Sequence, residues 1–114
     1  QDRVLLLQQY GRKDYILLAG YVNRGESAEQ ALVREVREEV GLTVISYRYM
    51  QSCFFEPSNT LMCNFTAYVD NAKALHINQE IDRCKWFSPE EARKNIRPNS
   101  LAAWFLNAYL DEKQ

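Results

Sequence analysis

Residues 20–42 read GYVNRGESAEQALVREVREEVGL, a glycine-bracketed loop followed by a stretch with the marks of a helix. Ser27 with Gln30 three positions later predicts a capping box at the helix start. From 28 to 40 an apolar residue recurs at every fourth position, which is typical of a helix with one buried stripe. Gly41 then stands where a left-handed C-cap residue is expected. The pattern predicts a helix over 28–40.

Three glutamates are placed on one side of this predicted helix. Glu35, Glu38 and Glu39 are related by steps of three and four residues, and their shared side borders the apolar stripe. Such a group repels itself unless a cation lies between its members, and hard cations such as Mg²⁺ or Mn²⁺ prefer clustered oxygen ligands. Glu26 can reach the same place from the loop, and Arg34 can pair with neighbouring acids. An acidic face next to arginines is most often a solvated surface with ion pairs, so the helix by itself does not establish a metal site.

The spacing of the whole segment favours the metal site. Gly20, five residues, Glu26, seven residues and then 34-REVREEVGL-42 resemble the Nudix box at each of its fixed positions. The resemblance implies an α/β fold, the Nudix α/β/α sandwich around a mixed β-sheet. It also implies hydrolysis by attack of water on a phosphorus of a nucleoside diphosphate linked to another group. By this resemblance the metal ligands are Glu35, Glu38 and Glu39, the cofactor is Mg²⁺ or Mn²⁺, and the supporting residues are Gly20, Glu26, Arg34 and Gly41.

The rest of the chain fits one domain over residues 1–114. Apolar runs predict strands over 4–9 and 15–18, and later around 44–52, 61–69 and 84–87. The sequence Ser88-Pro89-Glu90-Glu91 predicts a helix start, and a last helix is expected from about Asn99. The order strands, helix, strands, helix, helix predicts layers of helices on a sheet.

An aromatic residue, Tyr21, follows Gly20, and downstream of the box come Thr60-Leu61-Met62, Glu80, Trp86-Phe87 and Asn99-Ser100-Leu101-Ala102. This layout is similar to that of the NADH pyrophosphatases, without gaps from Gly20 to Ala102. This resemblance implies that Tyr21 stacks on the base and that Ala102 lies against the substrate. It also implies that Glu80 completes the metal site and shares the catalytic role with Glu35 and Glu38. Packing would equally explain Tyr21 and Ala102, and a solvated loop would explain Glu80.

The specificity array of those enzymes, Ser-Gln-Pro-Trp-Pro-Phe-Pro-x-Ser, is largely replaced here. The corresponding run is 52-SCFFEPSNT-60, which keeps the first serine, an aromatic at the tryptophan place and a terminal hydroxyl. Phe55 and Thr60 are therefore the substrate contacts that the resemblance implies in this run. Core packing is the alternative for Phe54 and Phe55.

Composition excludes several classes of function. The formal net charge is -1, so nothing indicates a surface for a nucleic-acid backbone. No apolar run is long enough to span a membrane, and no signal peptide opens the chain. Three scattered cysteines argue against a disulfide framework and against a zinc site. We therefore expect a cytoplasmic protein.

Because the chain enters a strand-like run within a few residues of Gln1, we also expect missing upstream residues, where related enzymes carry a zinc ribbon.

Three functions follow from these observations. The first is hydrolysis of NAD(H) or a related substrate of ADP-ribose type to AMP and a second monophosphate. The second is a house-cleaning hydrolase of nucleoside triphosphates, which would release inorganic pyrophosphate. The third is a non-catalytic nucleotide-sensing domain, which the intact glutamates disfavour. By resemblance to the NADH pyrophosphatases, whose two subunits build the base pocket together, we expect a homodimer.

Overall fold

The computed structural model describes residues 3–112, which form two compact units. The first unit holds the described residues through Ala19 and from Ile77 onward, and the second is Gly20–His76. Helices and strands are both present, so the predicted α/β class is confirmed. The elements are β1 (Val4–Gln9), α1 (Ala28–Val40), β2 (Thr43–Phe55), β3 (Thr60–Asp70), β4 (Ile81–Phe87), α2 (Pro89–Asn95) and α3 (Leu101–Glu112), with short 3-10 turns at Glu56–Ser58 and Ala72–Ala74.

Helix α1 of the second unit has the ends that the sequence predicts. The Gln30 backbone N–H donates to Ser27 Oγ at 3.0 Å, and the Ser27 N–H donates to Gln30 Oε1 at 2.9 Å. These reciprocal bonds satisfy two amide groups that the first helical turn leaves unpaired. Gly41 ends the helix with φ 71°, and its N–H donates to the Arg37 carbonyl at 3.0 Å.

The C-terminal end of α1 is closely covered by the chain that follows β3. The His76 N–H donates to the Val40 carbonyl at 2.8 Å, which satisfies one of the last carbonyls of the helix. A Cβ at Gly41 would lie 3.1 Å from the Cβ of His76. Gly41 is therefore favoured both by its left-handed backbone and by this close approach.

Strands β2 and β3 form an antiparallel hairpin that is longer than the sequence predicts. The pairing runs from Thr43 opposite Asp70 to Phe55 opposite Thr60, with irregularities near Ile45 and Met50. The strand predicted around 44–52 extends to Phe55, because Phe54 and Phe55 both have partners on β3. Only the 3-10 turn Glu56–Ser58 and Asn59, with φ 52°, connect the two strands.

In the first unit, β1 pairs antiparallel with β4, and the chain after β1 joins them by two single bridges. Leu7 pairs antiparallel with Ile16, and Tyr15 pairs in parallel with Ile96. The predicted strand over 15–18 is reduced to these bridges, since only Tyr15 and Ile16 find partners. The buried core of this unit is formed by Leu6, Tyr15, Phe87, Ala92, Ile96, Leu106 and Leu110.

Helix α3 begins two residues later than predicted. Asn99 has φ 56°, a left-handed conformation that cannot continue into a helix. The Ala103 N–H donates to Ser100 Oγ at 3.0 Å, so the serine caps the first turn from Leu101.

The three cysteines are free thiols, as their scattered positions predict. Burial raises the pKa of the Cys84 thiol to about 11, so this thiol stays protonated near neutral pH. Within residues 3–112, no helix combines the length and the apolar character that crossing a membrane requires.

Candidate functional site

Three acidic side chains of the second unit surround the guanidinium of Arg34. Its Nε and Nη2 donate to the two carboxylate oxygens of Glu26, at 2.6 and 3.0 Å. Its Nη1 donates to Glu35 Oε2 at 3.0 Å and to Glu38 Oε1 at 3.1 Å. Its Nη2 also donates to the Tyr21 carbonyl at 3.0 Å. The Arg34 side chain thus joins the loop residues Tyr21 and Glu26 to the helix residues Glu35 and Glu38.

The pair of Arg34 and Glu26 is the electrostatic centre of this arrangement. Only 24% of the Arg34 side chain and 15% of the Glu26 side chain are exposed. The hydrogen bond from Arg34 lowers the pKa of Glu26, and the Asn23 backbone N–H adds to that effect. The hydrogen bond to Glu26 raises the pKa of Arg34. Both groups are therefore charged throughout the neutral range.

A tight turn presents Glu26 to Arg34. The Glu26 N–H donates to the Asn23 carbonyl at 3.0 Å, and the Asn23 N–H donates to Glu26 Oε1 at 2.9 Å. Gly25 has φ 82°, the left-handed conformation that the third residue of a type II turn requires. This turn was not singled out from the sequence, although Asn23-Arg24-Gly25 carries the composition of one.

Gly20 leaves the space that the Glu35 side chain occupies. A Cβ at this position would lie 2.3 Å from Glu35 Cδ and 2.6 Å from Oε2. Any larger residue at position 20 would therefore displace the carboxylate. The sequence identified Gly20 only as part of a motif, and the structure gives its physical reason.

The predicted metal ligands lie on α1 with different exposure. The Glu35 side chain is 19% exposed, the Glu38 side chain is 57% exposed and Glu39 is half-buried. Among residues 3–112, no three acidic, histidine or cysteine side chains already stand as a cluster that could hold a metal ion. The carboxylates of Glu35 and Glu38 are turned towards Arg34. The chemistry of the donors nevertheless fits a hard divalent cation, because Glu35 and Glu38 both offer carboxylate oxygens at this place.

The predicted substrate contacts of the second unit are accessible. Tyr21 is 72% exposed, so core packing does not explain it. Phe55 is 40% exposed and lies opposite Thr60 in the hairpin register, so the structure brings these two residues together. Thr60 Oγ1 donates to the Ser58 carbonyl at 2.8 Å and stabilises the connecting turn.

Two predicted site residues, Glu80 and Ala102, lie in the first unit. Glu80 is exposed just before β4, and its N–H donates to Asn78 Oδ1 at 2.9 Å. Ala102 is half-buried on α3 and packs against the core of that unit. Their roles in metal and substrate binding stay predictions.

Comparison with known proteins identifies the motif. The family model described as NUDIX domain matches residues 1–105. A Pseudomonas aeruginosa protein named NAD-capped RNA hydrolase NudC is 36% identical over 96 residues, which cover 84% of this chain and 34% of that protein. A Mycobacterium tuberculosis protein of the same name is 38% identical over 95 residues, which cover 81% of this chain and 30% of that protein. The chain thus spans about a third of the length of these curated relatives.

A solved structure shows the same fold at lower identity. The Ap4A hydrolase binary complex from C. elegans superposes with a TM-score of 0.78 at 23% identity, covering 97% of this chain and 86% of that one. The similarity extends over both units of the chain.

Proposed function

Because the chain belongs to the Nudix hydrolase family, we propose that it hydrolyses the diphosphate of NAD(H) or of a related substrate of ADP-ribose type with Mg²⁺ or Mn²⁺. The products are AMP and a second monophosphate. The observation that carries the proposal is the network in which Arg34 holds Glu26, Glu35 and Glu38 on one loop and helix.

The glutamates of α1 supply the metal site in this proposal. Glu35, Glu38 and Glu39 hold the cation, with Glu80 as a further ligand. When bound, the cation supplies positive charge against the diphosphate oxygens and makes water more acidic. Glu38 is the best candidate to take the proton from the attacking water. Of the two α1 glutamates that pair with Arg34, Glu38 has the more exposed side chain. Arg34 and Glu26 position the loop and the helix.

The substrate class is supported by the exposed aromatic residues and by the relatives. Tyr21 presents an accessible ring beside the Arg34 network, and Phe55 presents a second ring above Thr60. Aromatic rings of this kind stack on nucleobases. The two relatives are named for hydrolysis of NAD-capped RNA. Such a cap contains the same diphosphate, and its hydrolysis would release nicotinamide mononucleotide and leave a 5′-monophosphate on the RNA.

A house-cleaning hydrolase of nucleoside triphosphates is the second candidate. It is favoured by the run 52-SCFFEPSNT-60, which lacks most of the array found in NADH pyrophosphatases. The two candidates differ in their products, because a triphosphate substrate releases inorganic pyrophosphate.

Product analysis after incubation with NADH and Mn²⁺ tests the proposal. We expect AMP and reduced nicotinamide mononucleotide from the unaltered protein. Release of pyrophosphate from triphosphates, with NADH left intact, would establish the second candidate instead. Absence of turnover with NADH, ADP-ribose and triphosphates alike would contradict a hydrolase.

We also propose that two copies associate through the β2–β3 hairpin. Tyr47 and Tyr49 both make edge-to-face contacts with Phe65, at centroid distances of 6.0 and 5.6 Å, so all three rings share one face. Tyr47 is 46% exposed and Tyr49 is 52% exposed. Phe54 and Leu61, paired in the register, are also exposed. Aromatic and aliphatic side chains that are exposed together on one face are typical of an association site.

Light scattering of Tyr49→Glu tests the association. We expect a dimer for the unaltered protein and a monomer for the variant, because a charge within the apolar face opposes burial. Tyr10→Glu is the control, since Tyr10 is 79% exposed but lies in the other unit. A monomeric unaltered protein would contradict the proposal.

A further inference from the structure

We propose that Arg24 binds a phosphate oxygen of the substrate and thereby sets the affinity for the nucleoside diphosphate. The inference rests on the proposed function and adds a substrate-binding residue to the same site. It concerns Arg24 at the tip of the turn 23–26, a position that the motif leaves variable.

The backbone that carries Arg24 is anchored to the acidic network. Asn23 and Glu26 are joined by two hydrogen bonds, of 3.0 Å between backbone groups and 2.9 Å from the Asn23 N–H to the Glu26 carboxylate. Glu26 is held in turn by Arg34 through both carboxylate oxygens. A side chain between these anchors is presented from a fixed backbone, which lowers the entropic cost of binding.

The guanidinium of Arg24 is available for a ligand. Arg34 is engaged with three glutamates, and Arg37 Nη1 donates to Thr43 Oγ1 at 2.9 Å. Arg24 is exposed and makes no hydrogen bond or ion pair with any residue between 3 and 112. A Cβ added to the neighbouring Gly25 would have no atom within 4 Å, so the space around the tip is open.

The charge of the site favours a role for the Arg24 guanidinium in substrate binding. Glu26, Glu35 and Glu38 surround one guanidinium, so the network is acidic as it stands and repels a diphosphate. Arg24, on the loop that precedes α1, adds a second positive charge, which offsets part of that repulsion. A planar guanidinium can also form two parallel hydrogen bonds with phosphate oxygens.

Steady-state kinetics with NADH and Mn²⁺ test the assignment in the full chain. For Arg24→Gln we expect KM to rise about tenfold while kcat changes less than twofold, because one charge-assisted contact to the bound substrate is lost. Arg24→Lys should be intermediate, since it keeps the charge but not the paired geometry. The control is Arg12→Gln, an exposed arginine on a turn of the other unit, which should leave both constants unchanged.

Two outcomes would overturn the assignment. An unchanged KM in Arg24→Gln would show that the side chain does not contact substrate. A fall in kcat at constant KM would show that Arg24 acts through the Glu26 turn instead.

Binding measurements separate this inference from the proposed function. Should the unaltered protein turn over no substrate, calorimetry with ADP and Ca²⁺ still reports on Arg24. A tenfold loss of ADP affinity in Arg24→Gln would support the phosphate contact although hydrolysis had failed. Equal ADP affinity, or no ADP binding by the unaltered protein, would overturn it.

Discussion

At the scale of single residues, Gly20 and Glu35 show how the site depends on one missing side chain. The Glu35 carboxyl carbon lies 2.3 Å from the position of a Cβ at residue 20. That distance is far shorter than any non-bonded contact between carbon atoms, so a side chain at residue 20 would force the Glu35 side chain to move. Glu35 is in turn held by Arg34 at 3.0 Å. A change at Gly20 therefore reaches the predicted metal ligand directly.

We expect Gly20→Ala to lower kcat/KM roughly 100-fold, because the added methyl displaces the Glu35 carboxylate. The measurement is hydrolysis of NADH, with thermal unfolding in parallel. Gly11→Ala is the matched control: it has φ 70° and no atom within 4 Å of an added Cβ. This control should lose stability but not activity, and equal loss of activity in both variants would contradict the argument.

Glu38 permits a second test at this scale. Glu38→Gln removes the charge of a predicted ligand and base without changing its shape, and we expect turnover to fall roughly 10²–10⁴-fold. Circular dichroism should show an intact fold, because the side chain is 57% exposed. Glu29→Gln, an exposed acid on the same helix, should keep its activity. Near-normal turnover of Glu38→Gln would refute the assignment.

At the scale of elements, the loop and α1 act as one unit because Ser27 and Gln30 cap the helix where the loop ends. The cap fixes the first turn, from which the glutamates are placed two and three turns further along. Loss of the cap should therefore lower the stability of α1 more than it lowers the rate of hydrolysis.

We expect Ser27→Ala to lower the free energy of unfolding by about 1 kcal/mol, the usual contribution of an N-cap hydroxyl. Chemical denaturation measures this change. Ser88→Ala, which removes the longer 3.3 Å cap bond of α2, should cost less. The opposite order of the two variants would contradict the role of the capping box.

The pair of Glu26 and Arg34 should make the stability of this element depend on pH. The pKa of Glu26 is lowered from its ordinary value of 4.5 by the hydrogen bond from Arg34. Its contribution is therefore complete above pH 4.5 and is lost as the pH falls through the lower folded pKa. We expect Glu26→Gln to be less stable than the unaltered protein at pH 7, with a smaller difference at pH 3. Thermal unfolding at both pH values measures this, and an equal difference at both would contradict it.

At the scale of the whole molecule, cation binding should stabilise the folded state in addition to its role in hydrolysis. Saturating Mg²⁺ or Mn²⁺ should raise the melting temperature by about 5 °C, because a ligand that binds only the folded state favours it. The double variant Glu35→Gln/Glu38→Gln should show a smaller shift. No shift of the unaltered protein at millimolar metal would count against the site.

Features that depend on near neighbours in the chain follow from the sequence alone. The ends of α1 were predicted correctly, since Ser27, Gln30 and Gly41 act within a turn of the helix. The spacing of Glu35 and Glu38 likewise placed them on one helical side, where Arg34 holds both.

Features that depend on residues distant in the chain follow from tertiary packing. Thr43 lies opposite Asp70 at the far end of the hairpin, and Tyr15 forms a bridge because Ile96 reaches it. The contact of Gly20 with Glu35 also had no local signal, since it depends on how the loop returns to α1. Periodicity reports which face of an element is apolar, whereas pairing and close approach are set by the packing of segments that the sequence separates.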